Sequence, residues 1–170
     1  MERTELKIRV YPDPVLRKKS ALVKEASVWH RDLFSRMAQL MYDGNGIGLA
    51  APQAGINEAM IVVDIGSGLY KLINPRIIWF SGRQVNQEGC LSVPGICIKV
   101  KRANKIKVKA LDEFGKPLNI EAEGLLACVF QHEIDHLKGK LIIDYASLLE
   151  RLRIKKALKK LDTKTCQLYL

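Results

Sequence analysis

The segment Gln131–His136 contains a histidine-glutamate-x-x-histidine motif, whose spacing specifies a metal-dependent hydrolytic chemistry. On a helix, positions i and i+4 share a face, so His132 and His136 can direct their imidazole nitrogens at one metal ion. Glu133 would lie beside the open coordination position as a proton acceptor. The chain has three histidines, and two of them fall in this motif. The motif therefore favours a catalytic metal centre over a pair of solvated surface histidines.

A catalytic centre of the zinc type needs a third protein ligand, and the sequence limits where it can lie. Cys128 is one helical turn before His132, but Cys128 and the two histidines would span about 12 Å along one helix, too far for all three to reach one ion. A metzincin would carry a third histidine where Ile142 stands, although Gly139 matches that family's glycine. A gluzincin would use a later glutamate, for which Glu150 is the only candidate downstream. Both protease branches fit poorly, so the third ligand is expected off this helix.

The best candidate for the third ligand is a cysteine in a glycine-rich loop. Cys90 lies in the segment Glu88–Gly95, which is bounded by glycines and a proline. The glycine before the cysteine lets the backbone approach a ligand closely, and the amide after it can point into the same space. Cys97 stands in an apolar alternation typical of a strand, and Cys166 is near the end of the chain.

Three segments resemble the signature motifs of the peptide deformylases in order and spacing. They are Gly46–Gln53, Glu88–Ser92 and Gln131–Leu137. The likeness extends from Tyr11–Arg17 to Gly139–Tyr145, and the absence of insertions resembles the compact bacterial branch. The resemblance implies hydrolytic removal of the formyl group from N-formylmethionine at the start of new polypeptides, with release of formate.

The resemblance also implies a role for each matching position in this chemistry. The implied metal ligands are Cys90, His132 and His136. Metal-bound water would be the nucleophile, and Glu133 would act first as general base and then as general acid. The Leu91 backbone N–H and the Gln53 side-chain amide would hold the oxyanion.

Substrate recognition is expected from an apolar pocket beside a glycine-rich segment. The implied wall of the methionine pocket is formed by Ile47, Leu125 and Val129. The glycines at positions 44, 46 and 48 lack the spacing of a phosphate-binding loop. Gly46 and Gly48 are instead expected to let the backbone run close to an extended peptide, with Gly48 pairing to its main chain.

The ligand set does not by itself identify the metal. One cysteine and two histidines suit zinc, but neighbouring metals in the affinity series can bind the same set. Deformylases characteristically use Fe(II), so one divalent ion is expected, Fe(II) in the cell, with zinc, nickel or cobalt able to substitute. Several relatives carry a basic residue seven positions after the ligand cysteine, where this chain has Cys97. This departure predicts a different grip on the peptide beyond methionine.

The 170 residues predict one α+β domain, with antiparallel or mixed sheets packed around a central metal-binding helix and with a C-terminal helix. Asp13 is expected to cap a turn begun by Pro14. Predicted helices are an amphipathic one carrying Leu33, Phe34, Met37, Leu40 and Met41 and ending at Asp43, the metal helix over 124–138, and a basic helix over about 146–162. Predicted strands are Met60–Ile65, Tyr70–Ile73, Arg76–Phe80 and Lys105–Leu111.

The net charge of +10 favours an RNA-rich partner, because a formylated peptide carries no large negative charge. In relatives the C-terminal helix docks on the ribosome near the nascent-chain exit, so ribosome association is expected through basic residues of this helix. They are Arg151, Arg153, Lys155, Lys156, Lys159 and Lys160. The helix has one apolar stripe with Tyr145, Leu148, Leu149 and Leu152, and another with Ile154, Ala157, Leu158 and Leu161. The first stripe is expected to pack on the body and the second to face elsewhere.

The composition also bears on the compartment. The sequence shows neither an apolar leader nor a stretch that approaches 18 apolar residues, so neither export nor a membrane span is expected. A thiolate ligand without a paired-cysteine pattern predicts a reducing cytoplasm. Two rival hypotheses remain at this level, a metallopeptidase and a non-catalytic RNA-associated protein with a structural metal.

Overall fold

The computed structural model describes residues 6–160, with side chains as far as residue 156, and confirms the predicted α+β fold. The helices of the described part are α1 Val28–Asp43, α2 Gly124–Leu137 and α3 Leu148–Lys160. The strands are β1 Gly48–Ala50, β2 Met60–Val63, β3 Tyr70–Ser81, β4 Gln84–Glu88, β5 Ile98–Arg102, β6 Lys105–Leu111 and β7 Pro117–Glu123. Short 3-10 helices span Pro14–Arg17, Ala51–Ala54 and Ile142–Tyr145.

Two antiparallel sheets surround the metal helix. The larger sheet has the strand order β1-β2-β3-β6-β7, and the smaller one pairs β4 with β5. Strand β6 shows the predicted alternation, with Ile106, Val108 and Ala110 buried and the three lysines between them exposed. Its apolar face packs on α2 through the cluster that contains Val129 and Phe130. Helix α2 therefore lies at the centre of the core, as the sequence predicts.

Strand β3 is continuous where the sequence predicts two strands. The break between the two predicted segments is a register shift between Ile73 and Arg76. Asn74 takes a left-handed backbone conformation there, with φ of 53°, and its side chain exchanges two hydrogen bonds with the Val23 backbone, at 2.8 and 3.0 Å. Pro75 cannot donate to the ladder, which confines it to such a bulge. The interruption between the two predicted strands is therefore a β-bulge within one strand.

The ends of the helices follow local rules. Asp13 accepts a hydrogen bond from the Val15 N–H at 2.9 Å, which confirms the predicted cap of the first turn. The Ser27 backbone N–H donates to Nδ1 of His30 at 3.0 Å, so the histidine outside the motif has a capping role at α1. After α2, Gly139 has φ of 73°, and a Cβ there would lie 2.5 Å from the Arg17 carbonyl oxygen. Only glycine is compatible with this conformation at the C-terminal end of α2.

The packing of α3 is the reverse of the prediction. Leu148, Leu149 and Leu152 are 80%, 72% and 62% exposed, whereas Ile154 is 9% exposed and packs against Ile98 and Val100. The reason is Arg151, whose guanidinium donates to the carbonyls of Asp144 and Ala146 at 2.9 and 3.1 Å. Ile154 shares the face of Arg151 at i+3, so this face turns to the body. Tyr145, the remaining member of the first stripe, lies before the helix and contacts the body through Arg102 and Asp135. Ala157, Leu158 and Leu161 lie outside the residues whose side chains are described.

None of the helices within residues 6–160 is long and apolar enough to cross a membrane.

Candidate metal centre

The Cys90 loop and helix α2 bring three buried ligand atoms together. Nε2 of His136 lies 3.2 Å from Nε2 of His132 and 3.3 Å from Sγ of Cys90. All three ligand atoms are within 4.8 Å of one another. Tetrahedral ligands at about 2.0–2.3 Å from one ion stand roughly 3.3–3.7 Å apart, so the set fits a single divalent cation. The three ligands inferred from the sequence therefore form one cluster.

The surroundings of the cluster control the protonation of two of its ligands, His136 and Cys90. Burial lowers the pKa of His136 well below its usual value, and His132 lowers it further, so the imidazole is neutral and its lone pair can bind a metal. Burial raises the pKa of the Cys90 thiol to about 12. A divalent cation bound to the sulfur would overcome this shift and deprotonate the thiol. Cys90 is therefore a thiolate only when a cation is bound to its sulfur.

Glu88 is a residue of the centre that the sequence analysis did not single out. Its carboxylate is fully buried and accepts a hydrogen bond from Nδ1 of His132 at 3.0 Å. The Arg102 guanidinium binds both of its oxygens at 2.8 Å. Burial opposes ionisation of Glu88, but the hydrogen bonds from Arg102 and His132 outweigh it and lower the pKa to about 2. Because Nδ1 of His132 donates to this carboxylate, its Nε2 lone pair faces the ligand cluster.

The carboxylate of Glu133 lies in an enclosed space against β1. The residue is fully buried, and neither oxygen has a hydrogen-bond partner within the described part of the chain. Burial raises its pKa well above the usual value, and the charge of Glu88 raises it further. A Cβ on Gly48 would overlap this carboxylate and lie 2.9 Å from Cγ1 of Val129. Gly48 therefore provides the space that Glu133 occupies, a constraint that the sequence analysis missed.

Gln53 points into the same site from the 3-10 helix Ala51–Ala54. Its Oε1 accepts a hydrogen bond from the Ala50 N–H at 2.8 Å, which fixes the orientation of the side-chain amide. Its Nε2 donates to Sγ of Cys90 at 3.4 Å and to Oγ of Ser92 at 3.3 Å. The side chain is fully buried, so its place is not that of an ordinary surface glutamine.

Leu91 joins the cysteine loop to the glycine-rich segment. A Cβ on Gly46 would lie 2.9 Å from Cδ1 of Leu91, and one on Gly44 would lie 3.0 Å from Cδ2. These glycines therefore allow the Leu91 side chain to pack closely against the segment before β1. The packing fixes the backbone of the loop that carries Cys90 beside that segment.

The three residues inferred for the methionine pocket differ in burial. Val129 is fully buried and belongs to the main core cluster, against which the half-buried Ile47 packs. Leu125, one turn before Val129 on α2, is 43% exposed. The three side chains thus range from the core to the surface, with Leu125 the most exposed.

Of the cysteines within residues 6–160, Cys97 and Cys128 take no part in the ligand cluster. Cys128 is free, and its thiol donates to Oε1 of Glu88 at 3.2 Å. Cys97 lies just before β5 rather than within a strand. Cys166 lies outside the described residues.

Comparison with known proteins accounts for this arrangement. Residues 5–152 match the family model described as polypeptide deformylase. The chain belongs to this family of metallohydrolases. The peptide deformylase of Alkalilimnicola ehrlichii is 48% identical over 160 residues, which cover 92% of this chain and 90% of that protein. That of Halothermothrix orenii is 52% identical over 141 residues, which cover 82% of this chain and 92% of the relative.

Solved structures of family members agree with the fold. A crystal structure of a peptide deformylase from Legionella pneumophila superposes with a TM-score of 0.87 at 44% identity, covering 91% of this chain and 94% of that one. The peptide deformylase from Synechococcus elongatus in complex with actinonin superposes with a TM-score of 0.85 at 39% identity, covering 94% and 89% of the two chains. At these identities the family and the fold of this chain are shown together.

The contact between Glu88 and His132 generates a testable prediction. Glu88→Gln keeps the shape of the side chain but removes the charge that orients His132 and neutralises Arg102. Metal affinity should fall by about 10- to 100-fold, as is typical when a direct partner of a ligand histidine is lost. Competition with a chromogenic chelator would measure the change. Glu121→Gln, an exposed glutamate paired with Lys107 on the sheet surface, is the control and should keep its affinity. Equal affinities of the two variants would contradict the assignment.

Proposed function

We propose that this chain removes the N-formyl group from N-formylmethionine of nascent polypeptides and releases formate. The observation that carries the proposal is the position of Glu133. Its partnerless, buried carboxylate belongs to the same helix as His132 and His136 and lies where β1 leaves space for it. A buried carboxylate without a partner is costly in a purely structural site, but it suits a group that exchanges a proton with substrate or water.

The chemistry follows from the residues in the site. Cys90, His132 and His136 would hold one divalent cation, which on binding lowers the pKa of a coordinated water toward 7 and supplies a nucleophile at neutral pH. Glu133 would take a proton from the attacking water and later pass it to the leaving amine. Its pKa, raised by burial and by Glu88, suits holding that proton between the two steps.

The oxyanion of the tetrahedral intermediate needs donors that are fixed before the reaction. We assign this role to the Gln53 side-chain amide and the Leu91 backbone N–H. Two observations support the assignment: the Gln53 amide is held by Ala50 with its nitrogen toward Cys90, and the Leu91 side chain is clamped by glycines. Loss of one such donor typically costs about 2.7–4 kcal/mol of transition-state stabilisation.

The formylated peptide would bind as an extended strand beside β1. Strand β1 is an outer strand of the larger sheet, so one side of its backbone has no strand partner in that sheet. Gly46 and Gly48 would leave room for the peptide main chain, and the methionine side chain would enter the pocket of Ile47, Leu125 and Val129. A basic side chain that braces the peptide in several relatives is replaced by Cys97, so grip beyond methionine would differ from theirs.

The ion in the cell is proposed to be Fe(II), with zinc, nickel or cobalt able to replace it. Thiolate and imidazole ligands bind all four ions, and their affinity order does not select iron. Availability of the metal in a reducing cytoplasm would therefore decide occupancy. The proposed compartment is the cytoplasm, where formylated nascent chains are made.

Replacement of Glu133 tests the mechanism. Glu133→Gln keeps the ligands and the shape of the site but removes the proton acceptor. Formate release from a formyl-Met peptide should fall by about 10²- to 10⁴-fold, the usual contribution of a general base, while one metal per chain is retained. Coupled formate detection and elemental analysis of the same sample would measure both. A variant with one metal and substantial turnover would overturn the role of Glu133.

We further propose that the enzyme associates with the ribosome through α3. Arg153, Lys155 and Lys156 are exposed on this helix, and Leu148, Leu149 and Leu152 form an exposed apolar stripe beside them. Arg151 of the predicted set instead donates to the carbonyls of Asp144 and Ala146. A surface that combines cations with exposed leucines suits ribosomal RNA next to ribosomal protein. Lys159 and Lys160 of the predicted basic set lie outside the residues whose side chains are described.

Charge reversal tests this association. A variant with Arg153, Lys155 and Lys156 each replaced by Glu should cosediment more weakly with ribosomes at moderate salt, with a shallower dependence on salt because fewer phosphates are neutralised. The control replaces Lys105, Lys107 and Lys109 of β6 by Glu, which changes the net charge equally at another surface. Both variants should release formate from free peptide at the normal rate. Equal cosedimentation of the two variants would exclude a specific role of α3.

A further inference from the structure

Arg102 lies at the centre of a buried network that extends beyond the metal ligands. Arg102 is the last residue of β5, and its side chain is almost fully buried. Nε and Nη2 bind the two oxygens of Glu88 at 2.8 Å, while Nη1 binds Oδ2 of Asp135 at 2.5 Å. One guanidinium thus balances two carboxylates, and its position depends on both.

The far side of this network is formed by Tyr145, the last residue of the 3-10 helix Ile142–Tyr145. Its hydroxyl donates to Oδ2 of Asp135 at 2.6 Å, and its ring lies over the Arg102 guanidinium, 5.0 Å from the ring centroid to Cζ. Burial and the hydrogen bond to Asp135 together raise the pKa of Tyr145 to about 12, so the hydroxyl remains a donor. Tyr145 therefore holds Arg102 by its ring and Asp135 by its hydroxyl at the same time.

The two ligand histidines are supported unequally. Nδ1 of His132 donates to Glu88, whereas the buried Nδ1 of His136 has no hydrogen-bond partner within residues 6–160. Ligand histidines usually gain their orientation from a partner at the second ring nitrogen. In this site that support reaches the histidine pair through His132, so a shift of Glu88 would change the orientation of the His132 imidazole toward a bound metal.

We propose that Tyr145 is a positioning residue for the metal ligand His132, acting through Arg102 and Glu88. When the 3-10 helix is docked, the ring and hydroxyl of Tyr145 fix the guanidinium, the guanidinium fixes Glu88, and Glu88 fixes the imidazole. Metal retention then depends on a segment that lies only three residues before α3. The inference rests on the Cys-His-His metal site of the proposed function, but not on the identity of the substrate.

The test is metal retention by Tyr145→Phe, which removes the hydroxyl and keeps the ring over Arg102. Protein loaded with Co(II) is mixed with excess chelator, and the decay of the visible Co(II) absorption gives the rate of metal loss. Tyr145→Phe should lose Co(II) about 3- to 10-fold faster than the unmodified protein, less than the 10- to 100-fold typical for a direct partner of a ligand. Tyr145→Leu, which also removes the ring, should lose it faster still. The Co(II) band should shift in both variants.

Asp144→Asn is the matched control. Asp144 belongs to the same 3-10 helix, but its carboxylate pairs with Arg17 at 2.6 and 3.0 Å and is not part of the Arg102 network. The control should lower the midpoint of thermal unfolding while leaving the Co(II) band and the rate of metal loss unchanged. If it accelerates metal loss as much as Tyr145→Phe does, loosening of the segment explains the effect and the proposal is wrong.

A double-mutant cycle tests the route. In a Glu88→Gln background, Tyr145→Phe should add little to the rate of metal loss, because the connection to His132 is already broken. A full, additive effect in that background, or an unchanged rate in Tyr145→Phe alone, would overturn the proposal. These measurements need no substrate. A chain that retains Co(II) but releases no formate would contradict the proposed function and leave this inference standing.

Discussion

The structure of the metal centre depends on one buried carboxylate, that of Glu88. A charge without solvent is tolerated only when it is paired and hydrogen-bonded, and Glu88 meets this condition through Arg102 and His132. These partners are 14 and 44 residues away in sequence. The requirement therefore joins β4, β5 and α2 at one point. Since Cys90 follows Glu88 by two residues, the same contact delivers the third ligand to the histidines.

Close packing at two glycines brings further groups of the site to the ligand cluster that the Glu88 carboxylate organises. Gly48 lets β1 approach Glu133, and Gly46 lets the Leu91 side chain pack against the segment before that strand. The proposed base, oxyanion donors and peptide-binding edge thus meet around one ligand cluster. Water has little access to it, because Glu133 and all three ligands are buried. Electrostatic interactions are stronger in such an enclosed site than in water.

Features that local spacing controls could be predicted from the sequence. The i and i+4 histidines, the alternation of β6, the glycine stop after α2 and the cap at Asp13 each need only neighbouring residues. Contacts between distant residues could not be predicted in this way. The roles of Glu88 and Arg102 depend on pairing across the fold, and the outward stripe of α3 depends on hydrogen bonds from Arg151 to carbonyls at the preceding turn. The two strands predicted for 70–80 form one strand, because the interruption is a bulge in which Asn74 is held by hydrogen bonds with the distant Val23.

The central claim is that a deformylase site, rather than a peptidase site, surrounds these ligands. The most direct measurement is an anaerobic assay of the Fe(II)-loaded protein with a formyl-methionyl peptide, in which formate and all peptide products are quantified. The account predicts one formate for each new amino terminus, with every internal peptide bond intact. Cleavage of internal bonds, or no formate from protein shown to carry one Fe(II), would contradict it.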